Sequence, residues 1–178
     1  ATMSAIGEAI ERYCGGFYDP AALIRAKVGD LGDAAIPPWD FALFSERQYD
    51  SEGFPMRRPS ENTAYAWVKG RSLVQHRDIF VPACFVYVPY SYASRDEFLM
   101  LPISTGLACG SSAADAALRG LCEVVERDSF SMTWLNALSV PRLLIDHPNP
   151  ELAKVMEVFQ EVGLRLHVSL ATTDIGIP

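Results

Sequence analysis

The chain has 178 residues, of which 49% are hydrophobic and 21% charged, and it carries a net charge of -7. This composition is that of a globular protein with one sizeable core. The acidic balance, without any run of Lys or Arg, argues against a nucleic-acid-binding face, and no apolar stretch approaches the ~20 residues of a membrane span.

The first predicted element is a helix from about Ser4 to Phe17. Its apolar residues recur at helical spacing and form a stripe made of Ile6, Ile10, Tyr13 and Phe17. Ser4 is a candidate N-cap, with a longer helix that contains Ser4 as the alternative, and Gly15-Gly16 end the helix. At 100° per residue, Ser4, Glu8 and Glu11 lie on the side opposite the stripe.

The middle of the chain predicts mostly extended structure. Residues 19–63 are rich in Pro, Gly and charge and contain one short helical candidate near Trp39–Phe44. Short strands are predicted at Tyr65–Val68 and Leu73–Gln75, on either side of Gly70. The apolar residues of Asp78–Tyr90 predict one or two buried strands, and Phe98–Ile103 predicts another.

The remaining elements follow a loop of small residues at 104–112. They are predicted as a long helix (Ser112–Leu138), a strand (Arg142–Ile145), a helix (Pro150–Val162) and a strand (Leu164–Thr172). The sum is an α+β fold, with long helices packed on a mixed or largely antiparallel sheet. We expect residues 1–178 to be a single but incomplete domain, truncated at both ends, because the chain opens inside a helix and stops where another strand is expected.

The cysteines at positions 14, 84, 109 and 122 form no CxxC pair and no zinc-ligand spacing. Cys14 and Cys122 fall in helical patterns, which predicts that they are small core residues. We interpret all four cysteines as structural and weigh this against a redox or metal role. Without a disulfide framework, the expected location is the cytoplasm.

A five-residue pattern occurs twice, at Glu8-Ala9-Ile10-Glu11-Arg12 and, 115 positions later, at Glu123-Val124-Val125-Glu126-Arg127. Residues three apart share one face of a helix, so each carboxylate pair can point at one target. Two such helices that faced each other would gather four carboxylates, which repel unless a cation such as Mg2+ lies between them. Arginine beside them suits phosphate oxygens. The alternative for each copy is a solvated helix face with an intrahelical ion pair.

Two further features bear on a site. Phe130 and Trp134 lie on the same side of the second helix as its acidic pair, which argues that this face is covered.

The loop 104–112 joins a strand to a helix and can present backbone N–H groups to an anion, with a tight turn as the alternative. It is neither a Walker loop nor GxGxxG. Asp174 is interpreted as a turn residue rather than a ligand.

Taken in order, these motifs resemble the YcaO family along nearly the whole chain. The segments that carry the resemblance are Ser4-x3-Glu8-Ala9-Ile10-Glu11-Arg12-Tyr13, Ser104-Thr105-Gly106-Leu107-Ala108-x-Gly110-Ser111, Gly120-Leu121-x-Glu123-Val124-Val125-Glu126-Arg127-Asp128, and Thr173-Asp174-Ile175-Gly176-Ile177-Pro178. The resemblance implies a YcaO-like fold that binds ATP and Mg2+. The family's upstream Lys and Ser nucleotide contacts and its downstream Arg and Glu fall outside the matching segments.

The resemblance also implies an activity. Many YcaO proteins are cyclodehydratases that form azoline rings in ribosomally made peptides during thiazole/oxazole peptide biosynthesis and bacteriocin maturation. Other members make thioamides or amidines, or support methylthiolation of a ribosomal protein. An accessory methylthiolation factor and a non-catalytic docking scaffold are therefore the alternatives to a cyclodehydratase. The implied partners are a peptide substrate with Cys, Ser or Thr, a leader-peptide-binding protein and a second copy in a homodimer.

Residue roles follow from the resemblance position by position. The implied Mg2+ ligands are Glu8, Glu11, Glu123 and Glu126. The implied nucleotide contacts are Ser4, Ser111 and Arg127. Arg12 matches the motif, with bracing of the first helix as its alternative role. No side-chain nucleophile is implied, because the substrate supplies its own.

Overall fold

The computed structural model describes residues 2–177. The α-helices are α1 (Thr2–Gly16), α2 (Val28–Leu31), α3 (Glu46–Tyr49), α4 (Ala113–Leu135) and α5 (Pro150–Glu161). The strands are β1 (Ile24–Ala26), β2 (Tyr65–Arg71), β3 (Asp78–Pro82), β4 (Arg142–Leu143) and β5 (Val168–Ser169). The chain divides into two compact units, unit 1 ending at Ala116 and unit 2 beginning at Ala117. A single domain over 1–178 stays a prediction.

Helix α1 contains Ser4, so this residue does not cap the helix, as the longer-helix alternative predicts. The predicted end at Gly15-Gly16 is confirmed. The apolar stripe is not buried within unit 1, since Ile10 is 49% exposed and Phe17 72% exposed. Packing of α1 instead depends on Gly15, its one buried residue.

Strands β1, β2 and β3 form one antiparallel sheet in that order. The sequence analysis missed β1, which has three residues and pairs Ile24 with Trp67. Trp67 is fully buried, and its indole N–H donates to the Ala26 carbonyl at 2.8 Å. The Trp67 side chain thus links β2 to the end of β1.

The strand predicted at Leu73–Gln75 is wrong, because these residues form the turn of the β2–β3 hairpin. Gly70 stays in the ladder opposite Ile79 instead of separating two strands. The Ser72 N–H donates to the Arg77 carbonyl at 2.9 Å and closes the loop, and His76 takes a positive φ of 52° within it. No Asn-Gly or Asp-Gly pair marks this turn in the sequence, which explains the error.

The strand predicted at Phe98–Ile103 is also wrong. Leu99 is fully buried, but its N–H donates to Glu97, two residues back, and the Phe98 carbonyl accepts from the Arg57 N–H. Leu99 is therefore buried by turn packing and not by a sheet, whereas Leu101 and Ile103 are more than half exposed. A 3-10 helix (Arg95–Glu97) precedes them.

Two other predicted elements are shorter in the structure than the sequence analysis predicts. Within Asp78–Tyr90 the strand stops at Pro82 and a 3-10 helix follows at Ala83–Phe85. The helical candidate near Trp39–Phe44 is reduced to a 3-10 turn at Pro38–Asp40. Prolines at the start of these turns fix φ and withhold an N–H, so they favour short turns over longer elements.

The core of unit 1 lies beside β2 and consists of Ala35, Tyr65, Ala66, Trp67, Ala83, Cys84, Tyr90 and Leu99. Glu97 is only 2% exposed, and its carboxylate accepts from the Arg25 guanidinium and from the Ser94 hydroxyl. Because the buried charge is paired and hydrogen-bonded, it ties β1 to the 94–97 turn.

Unit 2 contains α5, the β4–β5 antiparallel pair and nearly all of α4. Asn149 caps α5 by accepting from the Leu152 N–H at 2.8 Å, and Pro150 occupies the first helical position. Strand β5 is shorter than the predicted Leu164–Thr172. Both sheets are antiparallel, with parallel pairing limited in residues 2–177 to a bridge between Ala35 and Phe80, and the predicted α+β class is confirmed.

All four cysteines are free thiols. Cys84 is buried and Cys109 is half-buried. The prediction that Cys14 and Cys122 are core residues is wrong within their units, because both are exposed on helix surfaces. No helix among residues 2–177 has the length and apolar character that a membrane-spanning segment needs.

Candidate functional site

The first acidic pair lies on α1 in unit 1. Arg12 bridges both carboxylates, with its Nη2 3.6 Å from Glu8 Oε1 and its Nε 3.9 Å from Glu11 Oε1. Glu8 is 67% exposed, whereas Glu11 is only 17% exposed. An exposed pair such as Arg12–Glu8 contributes at most about 1 kcal/mol, so a stronger cation can displace the arginine from Glu8.

The C-terminus of α1 is fixed by close backbone packing. A Cβ on Gly15 would lie 2.8 Å from the Leu107 side chain, and one on Gly16 would lie 3.1 Å from the Val88 carbonyl. The Val88 N–H also donates to the Gly15 carbonyl at 2.9 Å. These contacts set the acidic helix against the 104–112 loop within unit 1.

The 104–112 loop turns sharply before α4. The Leu107 N–H donates to the Ser104 carbonyl at 3.0 Å, and Gly106 has a φ of 89° that favours glycine. Further along, a Cβ on Gly110 would lie 2.4 Å from the Ala116 nitrogen, so only glycine fits there. The loop therefore contains the tight turn, and its contact with an anion stays a prediction.

The start of α4 contains an acidic partner that the sequence analysis missed. Asp115 accepts from the Ser111 N–H at 2.9 Å and from the Ser111 hydroxyl at 3.1 Å. The Ser112 hydroxyl in turn accepts from the Asp115 N–H at 3.2 Å. The Asp115 carboxylate thus already accepts the two Ser111 hydrogen bonds that a phosphate would otherwise accept. The spacing of Ser111 and Asp115, four residues apart, was the available signal.

The second acidic pair lies on α4 in unit 2. Glu123 Oε1 is 3.5 Å from Arg127 Nη2, the same four-residue pairing that Arg12 makes with Glu8. Glu123 is 28% exposed. Glu126 is exposed and has no ion-pair partner among residues 2–177. One carboxylate of this pair is therefore available to a cation.

Farther along the same side of α4, the rings of Phe130 and Trp134 are stacked with centroids 6.2 Å apart and an interplanar angle of 13°. Phe130 is 58% exposed and Trp134 72% exposed. The expectation that this face is covered is therefore not met by the residues of unit 2.

A hydroxyl pair holds α4 to the last described segment. Ser129 is 4% exposed, and its Oγ lies 3.1 Å from the Thr173 Oγ1. The Gly176 N–H donates to the Thr173 carbonyl at 3.1 Å, which places Asp174 in a turn as predicted. The sequence analysis missed Ser129, because a serine inside a helix gives no signal of its own.

The donor set fits Mg2+ chemically. Each unit supplies two carboxylates on one helix face with an arginine beside them, and Mg2+ takes hard oxygen ligands while keeping waters and substrate phosphates. Within each unit, the described residues bring together no group of three His, Cys, Asp or Glu side chains that could hold a metal. The gathering of all four carboxylates therefore stays a prediction, as do the nucleotide contacts at Ser4, Ser111 and Arg127.

These features agree with comparisons to known proteins. The family described as "YcaO cyclodehydratase, ATP- and Mg2+-binding" matches residues 1–178. The chain therefore belongs to the YcaO family. The family description confirms ATP and Mg2+ as its cofactors and places the chain in a family of ATP-dependent enzymes.

Solved structures show the same fold. The heterocyclase TruD superposes with a TM-score of 0.83 and 30% identity, over 99% of this chain and 27% of that one. A heterocyclase solved in complex with substrate and cofactor gives a TM-score of 0.82 and 30% identity, over 97% of this chain and 24% of that one. YcaO from Methanopyrus kandleri, bound with AMPPCP and Mg2+, gives a TM-score of 0.61 and 26% identity, over 95% of this chain and 39% of that one.

Among curated relatives, an uncharacterized protein in the tfuA 3' region of Rhizobium leguminosarum bv. trifolii is 33% identical over 118 residues. The match covers 63% of this chain and 27% of the relative. The chain thus spans less than a third of the length of the curated relative and of both heterocyclases.

Proposed function

We propose that this chain is the ATP- and Mg2+-binding core of a YcaO enzyme that activates peptide backbone amides by phosphorylation and closes azoline rings. The observation that carries the proposal is the likeness to the heterocyclase TruD, at a TM-score of 0.83 over 99% of the chain. Retention of all four motif carboxylates supports an enzyme over a docking scaffold, because a scaffold would not need them.

The proposed reaction needs no nucleophile from the protein, because the peptide supplies its own. A Cys, Ser or Thr side chain of the peptide attacks the preceding backbone carbonyl carbon and loses its proton. The resulting oxyanion takes the γ-phosphoryl group of ATP, which releases ADP. The C–O bond then breaks, phosphate leaves, and the amide nitrogen gives up its proton as the C=N bond of the azoline forms. The carbonyl oxygen thus departs with the phosphate.

The residues have distinct proposed roles. Glu8, Glu11, Glu123 and Glu126 hold Mg2+, and Arg127 contacts a phosphate. Bound Mg2+ would neutralise the triphosphate as its γ-phosphoryl group is transferred. Ser4 and Ser111 are assigned to the nucleotide through the family resemblance alone, and Ser111 would have to release Asp115 first.

The substrate and partners belong to this proposal too. We infer a peptide substrate with Cys, Ser or Thr, a leader-peptide-binding partner and a homodimer, acting in the cytoplasm in bacteriocin-type peptide maturation. A heterocyclase solved with its substrate supports a substrate of this class. The accessory methylthiolation factor is the alternative, and a precursor peptide that gains no ring would favour it.

The decisive experiment is calorimetric titration of Mg-ATP into the complete polypeptide and its Glu126→Gln variant. We expect binding that requires Mg2+ and is weakened roughly tenfold or more in the variant, because a charged contact is lost. Glu157→Gln, an exposed glutamate on α5, is the matched control and should bind like wild type. Absence of Mg-ATP binding by the wild-type protein would contradict the proposal.

A further inference from the structure

The turn of the β2–β3 hairpin exposes two adjacent aliphatic side chains. Leu73 is 72% exposed, and Val74 is 89% exposed, the largest fraction among the exposed large hydrophobic residues of 2–177. A turn does not need such residues, because Gly, Asn, Asp and Ser suit tight turns better and leave no apolar surface in water. The exposed pair therefore needs an explanation other than the fold of the hairpin.

Basic residues surround this pair. The segment 69–77, which we call the hairpin tip, contains Lys69, Arg71 and Arg77 and no Asp or Glu. No other stretch of nine residues in this sequence holds three Lys or Arg residues. The hairpin tip is thus a cationic surface with an apolar centre, in a protein whose net charge is -7.

One carboxylate next to the hairpin tip neutralises only part of this charge. Asp78 lies opposite Arg71 in the strand register, and its Oδ2 is 2.6 Å from the Lys69 Nζ. Arg77 instead donates from its Nε to the neutral Gln75 Oε1 at 2.7 Å. Three cations therefore share one adjacent acidic residue, which leaves the hairpin tip with a net positive charge.

Hydrogen bonds hold the backbone of the hairpin tip in one shape. Besides the Ser72–Arg77 backbone contact, the Gln75 N–H donates to the Ser72 Oγ at 3.0 Å. A surface that is ordered before binding loses less conformational entropy when a partner docks on it. The exposed pair is thus presented by a fixed turn.

We propose that the hairpin tip docks a short acidic segment of a partner polypeptide that carries apolar side chains between its carboxylates. Charge complementarity selects the carboxylates, and Leu73 and Val74 select the apolar side chains. The inference goes beyond the proposed function, because no residue of the hairpin tip is assigned to Mg2+ or the nucleotide.

The charge of the whole protein favours a peptide segment over an anionic membrane. Charges in water are screened beyond about 8–10 Å, so a slender peptide on the hairpin tip responds to the local positive charge. A membrane is extended and would also face the rest of an acidic protein, which it would repel. Two copies joined tip to tip would bring like charges together.

The test follows the fluorescence anisotropy of a short labelled peptide of alternating Glu and Leu as the complete polypeptide is added. We expect binding that weakens as the salt concentration rises, because the contact is partly ionic. Two control peptides have the same length, one with Gln in place of Glu and one with Ser in place of Leu. Each should bind about fivefold more weakly or worse.

Variants of the protein locate the contact. Val74→Ser should weaken binding of the Glu-Leu peptide by about fivefold, and Arg71→Gln by about two- to fivefold at low salt. Leu144→Ser, at a leucine that is 77% exposed, and Arg47→Gln, at an exposed arginine of α3, are the matched controls. Both controls should bind the peptide like wild type.

Several results would overturn the inference. These are no binding of the Glu-Leu peptide by the wild type, unchanged affinity in Val74→Ser or Arg71→Gln, and an equal loss in the control variants. Sedimentation with phosphatidylserine vesicles tests the membrane, and binding to vesicles but not to the peptide would assign the hairpin tip to a lipid surface instead. Self-association that Val74→Ser abolishes would assign it to a second copy of the chain.

Discussion

Gly110 shows how a single residue shapes the entry to the helix with the second acidic pair. A Cβ at this position would lie 2.4 Å from the nitrogen and 2.9 Å from the Cα of Ala116, both backbone atoms that cannot rotate away. Gly110→Ala should therefore destabilise the protein by about 1–3 kcal/mol, as overpacking does. Urea unfolding measures this change.

Gly7 provides the matched control for Gly110. It lies inside α1, and an added Cβ would meet nothing within 4 Å. Gly7→Ala should stabilise the protein by about 0.5–1 kcal/mol through helix propensity. Equal effects of the two variants would contradict the close contact at Gly110.

Cys84 makes the stability of the protein sensitive to high pH. Burial raises the pKa of its thiol to about 12, and burial likewise raises the pKa of Tyr90 to about 12. Ordinary values are about 8.5 for Cys and about 10 for Tyr. Between those values and pH 12 the unfolded chain gives up protons that the folded chain keeps, so stability falls as pH rises through this window.

Cys84→Ala should therefore flatten the decline of stability between about pH 8.5 and 12, even if it lowers stability at pH 7 by leaving a cavity. Cys14→Ala, which replaces an exposed thiol, is the matched control. The slope of the urea-unfolding free energy against pH is the quantity to compare. An identical slope in Cys84→Ala and wild type would count against this role of the buried thiol.

At the scale of elements, a hydroxyl pair, Ser129 and Thr173, joins α4 to the 173–176 turn. Ser129→Ala and Thr173→Val should each destabilise the protein, and the double variant should cost less than their sum. The coupling expected for such a hydrogen bond is about 0.5–1.5 kcal/mol. Thermal unfolding of the four proteins gives this number, and strict additivity would mean that the hydroxyls do not interact.

Whether an element was predicted correctly depends on how close in sequence its signals lie. Helices α1, α4 and α5 were predicted within a few residues, because helical periodicity and helix-ending residues such as Gly15-Gly16 lie in adjacent sequence. Strand β1 was missed and 98–103 was mispredicted, because three-residue strands and turn-packed apolar segments are decided by partners far along the chain. Binary patterning alone cannot separate a buried turn from a buried strand.

In the candidate site, too, local features were predicted from the sequence and features that depend on distant residues were not. The intrahelical ion pair that was the alternative interpretation of each copy is present, since the Arg12–Glu8 and Arg127–Glu123 contacts are local, and the Mg2+-binding interpretation stays a prediction. Asp115 was missed because its role depends on the loop geometry that brings Ser111 to it. The two pairs lie in different units, so their meeting depends on the whole molecule and stays a prediction.

At the scale of the whole molecule, a thermodynamic cycle tests whether the two acidic pairs hold the same Mg2+–nucleotide. Glu11→Gln in unit 1 and Glu126→Gln in unit 2 should each weaken Mg-dependent ATP binding. If both carboxylates hold one ligand, the double variant should lose less binding free energy than the sum of the two single losses. The first substitution already removes part of the binding free energy that the second carboxylate contributes. The interaction should exceed the ~0.5 kcal/mol within which independent sites add.

The cycle also separates the site from general charge effects. Each substitution removes one negative charge from an acidic protein, which alone would shift the affinity for an anionic ligand upward. Pairing Glu11→Gln with the control Glu157→Gln should give additive changes, because Glu157 has no proposed contact with the ligand. Additivity in the Glu11–Glu126 cycle as well would mean that the pairs act separately, and the four-carboxylate site would be abandoned in favour of two independent acidic helices.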